Sequence, residues 1–286
     1  MTIDTTIMLG SPVAQAIKER AAVPLSMLQA RGVVPRLMLI RCGQNAGDVS
    51  YEKSILKKAA AWGLDTVTRT LPANVTTDQL AQAVGLASAD ETIDGIMLFR
   101  PLPRQIDADA VMAVLARDKD VDGMTPASQQ GLVARDPRVN LPATAAAAVA
   151  LLRHYEIGLA GASAVVVGRS LVVGRPLAQL LMDQDATVTV CHSHTVGLRE
   201  MTVRADVVVA ALGRANYFDA GWFGPRTAVV DVGINDDGQG GVCGDVDTDA
   251  VIGHVRAVNP VYKGLGTVTT SILLAQCVAG CADRHG

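Results

Sequence analysis

The chain has 286 residues, of which 49% are apolar and 19% charged, and its formal net charge is −3 at pH 7. This length suits two domains of about 100–200 residues each. The slight negative charge and the lack of a basic block argue against a nucleic-acid or anionic-membrane partner, since both attract clustered Lys and Arg.

The first residues show neither the basic nor the apolar segment of a secretory signal, and the continuous apolar runs fall below the roughly 18 residues of a membrane span. Five cysteines, an odd number without metal-ligand spacing, are typical of a reducing compartment. We therefore expect a cytoplasmic protein with no metal site, in which Cys277 and Cys281 are small core residues.

Helix-like and strand-like segments alternate along the chain, which is typical of α/β units around a mostly parallel sheet. In the first half the pattern predicts helices over 11–31, 51–63 and 77–87 and strands over 36–41, 65–71 and 94–99. The proline-bearing segment 140–144 then leads into a helix that ends near Tyr155. We place a domain boundary near Leu141.

The second half opens on a buried strand over 164–167, a glycine turn over 168–176 and a helix that ends at Met182. In this arrangement backbone N–H groups and the helix N-terminus can meet a pyrophosphate, and glycines remove the Cβ atoms that would block it. The spacing differs from the usual dinucleotide fingerprint, so a purely structural turn is the alternative.

The next strand, over 187–191, ends about 20 residues beyond the glycine turn, where an NAD-binding fold usually offers an acid to the ribose. No Asp or Glu stands there. Arg169 and Ser193 offer a cation and a hydroxyl instead, which favours the 2′-phosphate of NADP over NAD. A solvated Arg169 is the alternative, and for His192 and His194 an ordinary histidine is more common than a catalytic one.

Short motifs follow one another in order along nearly the whole chain. Together with Tyr51, they are D-G-I at 94–96, P-L-P at 101–103, D-K-D-V-D-G at 118–123, the turn at 168–176, T-V-C-H-S at 189–193, A-D-V-V at 205–208, D-V-G-I-N at 231–235 and G-D-V at 244–246. The chain thereby resembles the bifunctional methylenetetrahydrofolate dehydrogenase/methenyltetrahydrofolate cyclohydrolase family.

The resemblance implies an α/β fold with an N-terminal substrate domain, 1–140, completed by a returning C-terminal helix within 269–286. A Rossmann-like NAD(P)-binding domain, 141–268, lies between, and the protein is expected to form a homodimer. For a folate substrate the implied catalytic residues are Tyr51 and Asp122, and the implied contacts are Tyr51, Phe99, Arg100, Pro101, Asp122, Gly264 and Thr267. For NADP they are Gly168, Arg169, Ser170, Val173, Gly174, Pro176, His192, Ser193, Gly213, Gly233 and Ile234.

The chain departs from the family at several positions that the resemblance places in the folate cleft. Ile55 stands where the family carries the lysine of Tyr-x-x-x-Lys, and Phe99 stands where it carries glutamine. Arg100 replaces an apolar residue, Asp48 a serine, and the loop 262–269 is rewritten. Their concentration around one site indicates a changed or lost activity beside an intact cofactor half.

The two family reactions make different demands on these positions. Hydride transfer from the methylene bridge depends mainly on positioning. Opening the methenyl product needs a tuned acid or base, which Ile55 and Phe99 cannot supply. Lys263 is a speculative substitute, with a solvated loop lysine as the alternative, and Lys53, Lys57 and Lys58 are expected to lie off the face of Tyr51.

Three hypotheses follow. The leading one is an NADP-dependent methylenetetrahydrofolate dehydrogenase with little or no cyclohydrolase activity. The second is an oxidoreductase of the same architecture that acts on another pterin or one-carbon adduct. The third is a non-catalytic relative that binds folate or NADP without turnover.

Overall fold

Parallel sheets organise the chain in the computed structural model, which describes residues 3–285. Within this range the strands are β1 Thr6–Ile7, β2 Arg36–Cys42, β3 Asp65–Leu71, β4 Gly95–Leu98, β5 Ser163–Val167, β6 Thr187–Cys191, β7 Val207–Ala210, β8 Ala228–Asp231, β9 Asn235–Asp236, β10 Val242–Cys243 and β11 Ala257–Val258. The predicted α/β class is confirmed.

The helices surround these strands and follow the predicted order in the first half of the chain. They are α1 Gly10–Ala30, α2 Ala46–Trp62, α3 Thr77–Ala89, α4 Ala108–Ala113, α5 Pro126–Ala134, α6 Ala143–His154, α7 Gly174–Met182, α8 Leu198–Arg204, α9 Thr248–Val251 and α10 Leu265–His285. Short 3-10 turns lie at Arg117–Lys119 and Ala220–Trp222.

The contacts divide the described chain into two units. One contains residues 3–14 and Thr144–Thr269, and the other contains Gln15–Ala143 with residues 270–285. We call them the six-stranded unit and the three-stranded unit after their sheets. The orders are β1-β11-β8-β7-β5-β6 and β3-β2-β4, with parallel pairing throughout both sheets.

The first residues join the six-stranded unit, whereas the sequence analysis placed them with the substrate domain. Thr6 pairs with Ala257 and Ile7 with Val258, so β1 extends the sheet at the β11 edge. A two-residue strand carries too little periodicity to be read from sequence. The functional division at residue 141 stays a prediction.

Helix α2 begins five residues before the predicted start at 51. The Asn45 side chain caps it by accepting from the backbone N–H groups of Gly47 at 2.9 Å and Asp48 at 3.2 Å. Asp48 therefore lies in the first turn of the helix, where a carboxylate favours the helix dipole. The helix ends at Gly63, whose φ of 81° suits a glycine C-cap.

The C-terminal helix α10 packs in the three-stranded unit, as the resemblance implied, and begins four residues before the predicted range 269–286. Its Arg284 donates to the Asp94 carboxylate at 2.8 Å and to Asp118 at 3.1 Å. Asp94 also accepts from the backbone N–H of Arg36 at 2.8 Å, which links the pair to β2. Cys277 and Cys281 are fully buried on this helix, which confirms them as core residues.

Helix α10 is also the one described segment that is long and apolar enough, by length and composition, to cross a membrane. The sequence analysis missed it because no continuous apolar run marks it. More than half of its most apolar stretch is buried within the protein, as in the core helix of a soluble protein. This criterion alone is therefore weak support for a membrane span.

Replacing Asp94 by Ala should lower the free energy of unfolding by about 3 kcal/mol, because Arg284 loses its buried partner. Urea unfolding followed by circular dichroism measures the change. Arg138→Ala is the matched control, since the Arg138 side chain is 75% exposed in its pair with Asp136, and it should leave the midpoint nearly unchanged. Equal shifts in the two variants would contradict the anchoring role of Asp94.

Candidate active site

Residues at the carboxyl end of β4 and on α2 form one aromatic and charged cluster in the three-stranded unit. The rings of Tyr51 and Phe99 meet edge to face, with centroids 6.0 Å apart. Asp122 is close enough to Tyr51 and to Arg100 to interact electrostatically with both. The structure thus brings together four of the residues that the resemblance implied for the substrate, and Pro101 follows directly on Arg100.

The segment Asp120–Gly123 is held by hydrogen bonds at each of its four carbonyl groups. Asp120 O accepts from Asn140 Nδ2 at 3.1 Å and Val121 O from Gln276 Nε2 at 2.7 Å. Asp122 O accepts from Ala143 N at 3.3 Å and Gly123 O from Gln129 Nε2 at 2.9 Å. The backbone that carries Asp122 is therefore fixed before any ligand arrives.

Gly123 completes this segment in a conformation that other residues rarely adopt. Its φ is +64°, and a Cβ there would lie 2.4 Å from the carbonyl carbon of Leu141. Glycine is required because both the left-handed backbone and the close approach exclude a side chain. The D-G pair at 122–123 is thus a structural requirement of the position of Asp122.

Burial dominates the electrostatics of the cluster. Burial, followed by the charge of the Asp120 carboxylate, raises the pKa of Asp122 to about 7, although the Arg100 guanidinium opposes the rise. Burial, followed by the charge of Asp122, also raises the pKa of Tyr51, although a hydrogen bond with Thr270 opposes it. Tyr51 is consequently a neutral phenol, and Asp122 can carry or release a proton near neutrality.

Ile55 and Phe99 are core residues in this unit. Ile55 is 0% exposed and Phe99 is 4% exposed. An aliphatic and an aromatic side chain therefore fill space that a lysine and a glutamine would have to fill with polar atoms. The predicted contact of Phe99 with substrate stays a prediction.

Lys58 lies on the same face of α2 as Tyr51, contrary to the expectation from sequence. Seven residues make nearly two turns of an α-helix, so the i, i+7 pair shares a face just as the i, i+4 pair does. Lys58 is half-buried, and its Nζ donates to Ser271 Oγ on α10 at 3.1 Å. Burial lowers its pKa to about 8.

The remaining predicted substrate residues, Lys263, Gly264 and Thr267, belong to the six-stranded unit. Lys263 has an exposed side chain and a φ of 58°, and its carbonyl accepts from Gly10 N at 2.7 Å. The neighbouring Tyr262 hydroxyl accepts from Val242 N at 3.1 Å, which ties the rewritten loop to the β9–β10 hairpin. The roles of these residues toward a substrate stay predictions.

In the six-stranded unit the glycine turn joins β5, the strand next to the β6 edge of the parallel sheet, to α7. A Cβ on Gly174 would lie 2.0 Å from the Gly168 carbonyl oxygen, and one on Gly168 would lie 2.3 Å from the Ala211 carbonyl oxygen. The Ser170 hydroxyl accepts from Val173 N at 3.1 Å, which shapes the turn. Pro176 is buried in the first turn of α7, whereas Arg169 is exposed.

The predicted residues after β6 lie beside this turn. Gly168 N donates to Cys191 O at 2.9 Å, which ties the ends of β5 and β6 together. His192 N donates to Thr195 Oγ1 at 2.8 Å, and His192 Nδ1 accepts from His194 N at 3.2 Å. Ser193 is exposed.

Two aspartates that the sequence analysis did not select shape the ends of β7 and β8. The Asp245 carboxylate accepts from the backbone N–H groups of residues 212–214 and so holds Gly213 in place. Asp231 accepts from Gly233 N at 2.9 Å, and burial raises its pKa to about 6. Ile234 follows, 63% exposed. The two aspartates lie in the D-V-G-I-N and G-D-V motifs, and these motifs were the feature of the sequence that could have identified them.

Comparison with known proteins agrees with both halves of this description. Residues 8–122 match the catalytic domain of tetrahydrofolate dehydrogenase/cyclohydrolase, and residues 142–285 match its NAD(P)-binding domain. The chain belongs to this family. It is 45% identical to the bifunctional protein FolD 1 of Desulfitobacterium hafniense over 280 residues, 98% of this chain and 100% of the relative.

Solved structures of the family have the same fold. The bifunctional FolD enzyme of Campylobacter jejuni superimposes with a TM-score of 0.93 at 32% identity and covers 98% of this chain and 99% of its own. The Trypanosoma brucei enzyme, solved with NADP and an inhibitor, gives 0.92 at 31% identity and covers 99% of both chains.

The six-stranded unit fits the nicotinamide nucleotide that its family binds. The predicted residues gather at the carboxyl ends of the parallel strands β5 to β8, where ligands bind in open α/β sheets. The glycines at 168 and 174 leave no room for a side chain in the turn. Their closely packed backbone can approach a pyrophosphate at the N-terminus of α7.

Gly174→Ala should destabilise the protein by about 2 kcal/mol, because the added methyl overlaps the Gly168 carbonyl. It should also weaken NADP binding by at least about tenfold, measured by calorimetry, since the turn must move. Gly158→Ala is the matched control, because a Cβ there meets nothing within 4 Å. Unchanged NADP affinity in a folded Gly174→Ala variant would contradict this placement of the cofactor.

Proposed function

We propose that this protein oxidises 5,10-methylenetetrahydrofolate to 5,10-methenyltetrahydrofolate with NADP and has little or no cyclohydrolase activity. The observation that carries the proposal is the pairing of Tyr51 with a fixed Asp122 in a unit whose family counterpart is a catalytic domain. The replacement of the lysine and glutamine positions by Ile55 and Phe99 supports the second part.

The oxidation depends on the placement of the substrate. When bound, the nicotinamide nucleotide supplies the hydride acceptor. Asp122 offers two acceptor oxygens to the N–H edge of a pterin, and the Tyr51 ring offers a flat apolar surface for the substrate. No residue has to remove a proton when the hydride leaves, because the two nitrogens of the product share the positive charge.

Hydrolysis of the methenyl product makes a different demand. Water has to lose a proton as it attacks the carbon, so a titrating or hydrogen-bonding group must stand nearby. Ile55 and Phe99 offer neither. Of the amines, half-buried Lys58 with its lowered pKa suits proton transfer better than exposed Lys263, and the role of Lys263 stays a proposal.

The NADP preference rests on the cation and hydroxyl at Arg169 and Ser193. Both side chains are exposed, and Gly168 N joins the ends of their strands through Cys191 O. A guanidinium suits a ribose phosphate, whereas NAD binding usually uses an acid at this place. The T. brucei relative was solved with NADP, which agrees with this proposal.

A second candidate is an oxidoreductase that acts on another pterin or one-carbon adduct. Arg100 favours it, because a guanidinium stands where the family usually carries an apolar residue. In either case we propose a cytoplasmic homodimer, as the resemblance implied, and light scattering at micromolar concentration tests the dimer.

Purified protein should reduce NADP when methylenetetrahydrofolate is added, with a smaller rate for NAD, and absorbance at 340 nm follows the reaction. Methenyltetrahydrofolate should decay in its presence no faster than in buffer, because Ile55 and Phe99 offer no group that activates water. Enzyme-dependent decay would refute the lost hydrolysis. Absence of NADP reduction, with folate still bound in calorimetry, would favour the second candidate or a non-catalytic relative.

The double variant Ile55→Lys/Phe99→Gln should gain measurable hydrolysis of methenyltetrahydrofolate, because it restores the lysine and glutamine of the family pattern. Ile55→Met/Phe99→Leu is the matched control, since it changes the same positions without adding a polar atom. Hydrolysis equal to that of the control would show that other replacements also block the reaction.

Lys58→Met should remove any hydrolysis that the wild-type protein retains, whereas Lys263→Ala should leave it unchanged. The reason is that Lys58 shares the helix face of Tyr51 and is half-buried, while the Lys263 side chain is exposed. Initial rates and melting temperatures of both variants provide the test. The reverse result would assign proton transfer to Lys263.

A further inference from the structure

Arg100 and Asp122 carry opposite charges at the same end of two parallel segments. The bridge between Ile96 and Asp120 sets these segments side by side. Two residues further along, Leu98 lies in the first segment and Asp122 in the second. Arg100 follows just beyond β4. The backbone geometry alone therefore places the guanidinium and the carboxylate near each other.

The Arg100 guanidinium and the Asp122 carboxylate lie near each other but form no hydrogen bond with each other. Arg100 Nε is buried and has no hydrogen-bond partner among the described residues. The charges of Arg100 and Asp122 nevertheless interact. Within residues 3–285 no side chain or backbone N–H donates to the Asp122 carboxylate. A buried donor without a partner costs free energy, so a ligand that gives Arg100 an acceptor and Asp122 a donor gains affinity.

The chemistry of the pair defines the ligand edge that fits. A carboxylate accepts from adjacent N–H groups, and a guanidinium donates to an oxygen next to them. A 2-amino-4-oxopteridine presents such an edge, with an amino group and a ring N–H beside a carbonyl oxygen. Tyr51 interacts with Asp122, and its half-buried ring, which meets Phe99 edge to face, provides aromatic surface for the ligand rings.

We propose that Arg100 determines specificity by donating to the 4-oxo group of a pterin whose N–H edge is bound by Asp122. The proposal rests on the proposed function and names the side chain that distinguishes 4-oxo from 4-amino pteridines. The family's apolar residue at this position has no donor to offer.

The experiment is calorimetry on the full-length protein with folic acid and with 4-aminofolic acid, in which an amino group replaces the 4-oxo group. Wild-type protein should prefer folic acid, and Arg100→Leu should reduce the ratio of the two dissociation constants by about tenfold. Arg100→Lys should reduce it partly, because an ammonium keeps the charge but loses the planar fork.

Arg104→Leu is the matched control, an exposed arginine four residues further along the same segment, and it should keep the wild-type ratio. Melting temperatures identify variants that fail to fold. Arg100→Leu should not lower the melting temperature, since it removes a buried donor that has no partner. A large loss of stability would indicate a structural arginine and overturn the proposal.

An unchanged ratio in Arg100→Leu, with both ligands weakened equally, would also overturn the proposal. It would place Arg100 beside a part of the molecule that folic acid and 4-aminofolic acid have in common. Binding of 6-methylpterin, which lacks the glutamate, then decides whether that part is the acidic tail. NADP reduction with methylenetetrahydrofolate separates a failure of the role of Arg100 from a failure of the proposed function. If wild-type protein turns over but the ratio does not respond, only the role of Arg100 fails, whereas absence of both turnover and folate binding ends the proposed function too.

Discussion

The fixed backbone of Asp120–Gly123 is the constraint on which the substrate half depends. Four successive carbonyls accept hydrogen bonds from four different parts of the same unit: α5, Asn140, the start of α6 at Ala143, and α10. A carboxylate on such a backbone cannot move far from its neighbours. Its raised pKa and its readiness for a ligand have the same cause, which is burial without relaxation.

Gln276 illustrates why the C-terminal helix has to return to this unit. Its side-chain amide donates to Val121 O at 2.7 Å and to Leu141 O at 3.1 Å, and its oxygen accepts from Leu141 N at 2.8 Å. One side chain thus links the segment that carries Asp122 to the chain that leaves the unit. The ion pair of Arg284 with Asp94 secures the other end of the same helix.

Sequence reasoning was most successful where periodicity and glycine chemistry agree. Strand β3 has the predicted ends, and the turn at Gly168 to Gly174 has the packed backbone that its glycines indicated. It failed where a long-range contact decides. β1 is a strand only because it pairs with β11, and the importance of Asp245 lies in three N–H groups more than thirty residues away. The face of Lys58 was predictable from helix geometry, because seven residues make nearly two turns.

The enclosed Ile55 makes the loss of the family's lysine difficult to reverse. A single change back to lysine would put an ammonium among apolar neighbours with no room to be hydrated, so the intermediate protein would be less stable than either end point. A polar side chain at position 99 would have to come first, although on its own it brings no benefit. The core around position 55 therefore accepts a lysine only after its surroundings have gained a polar partner for it.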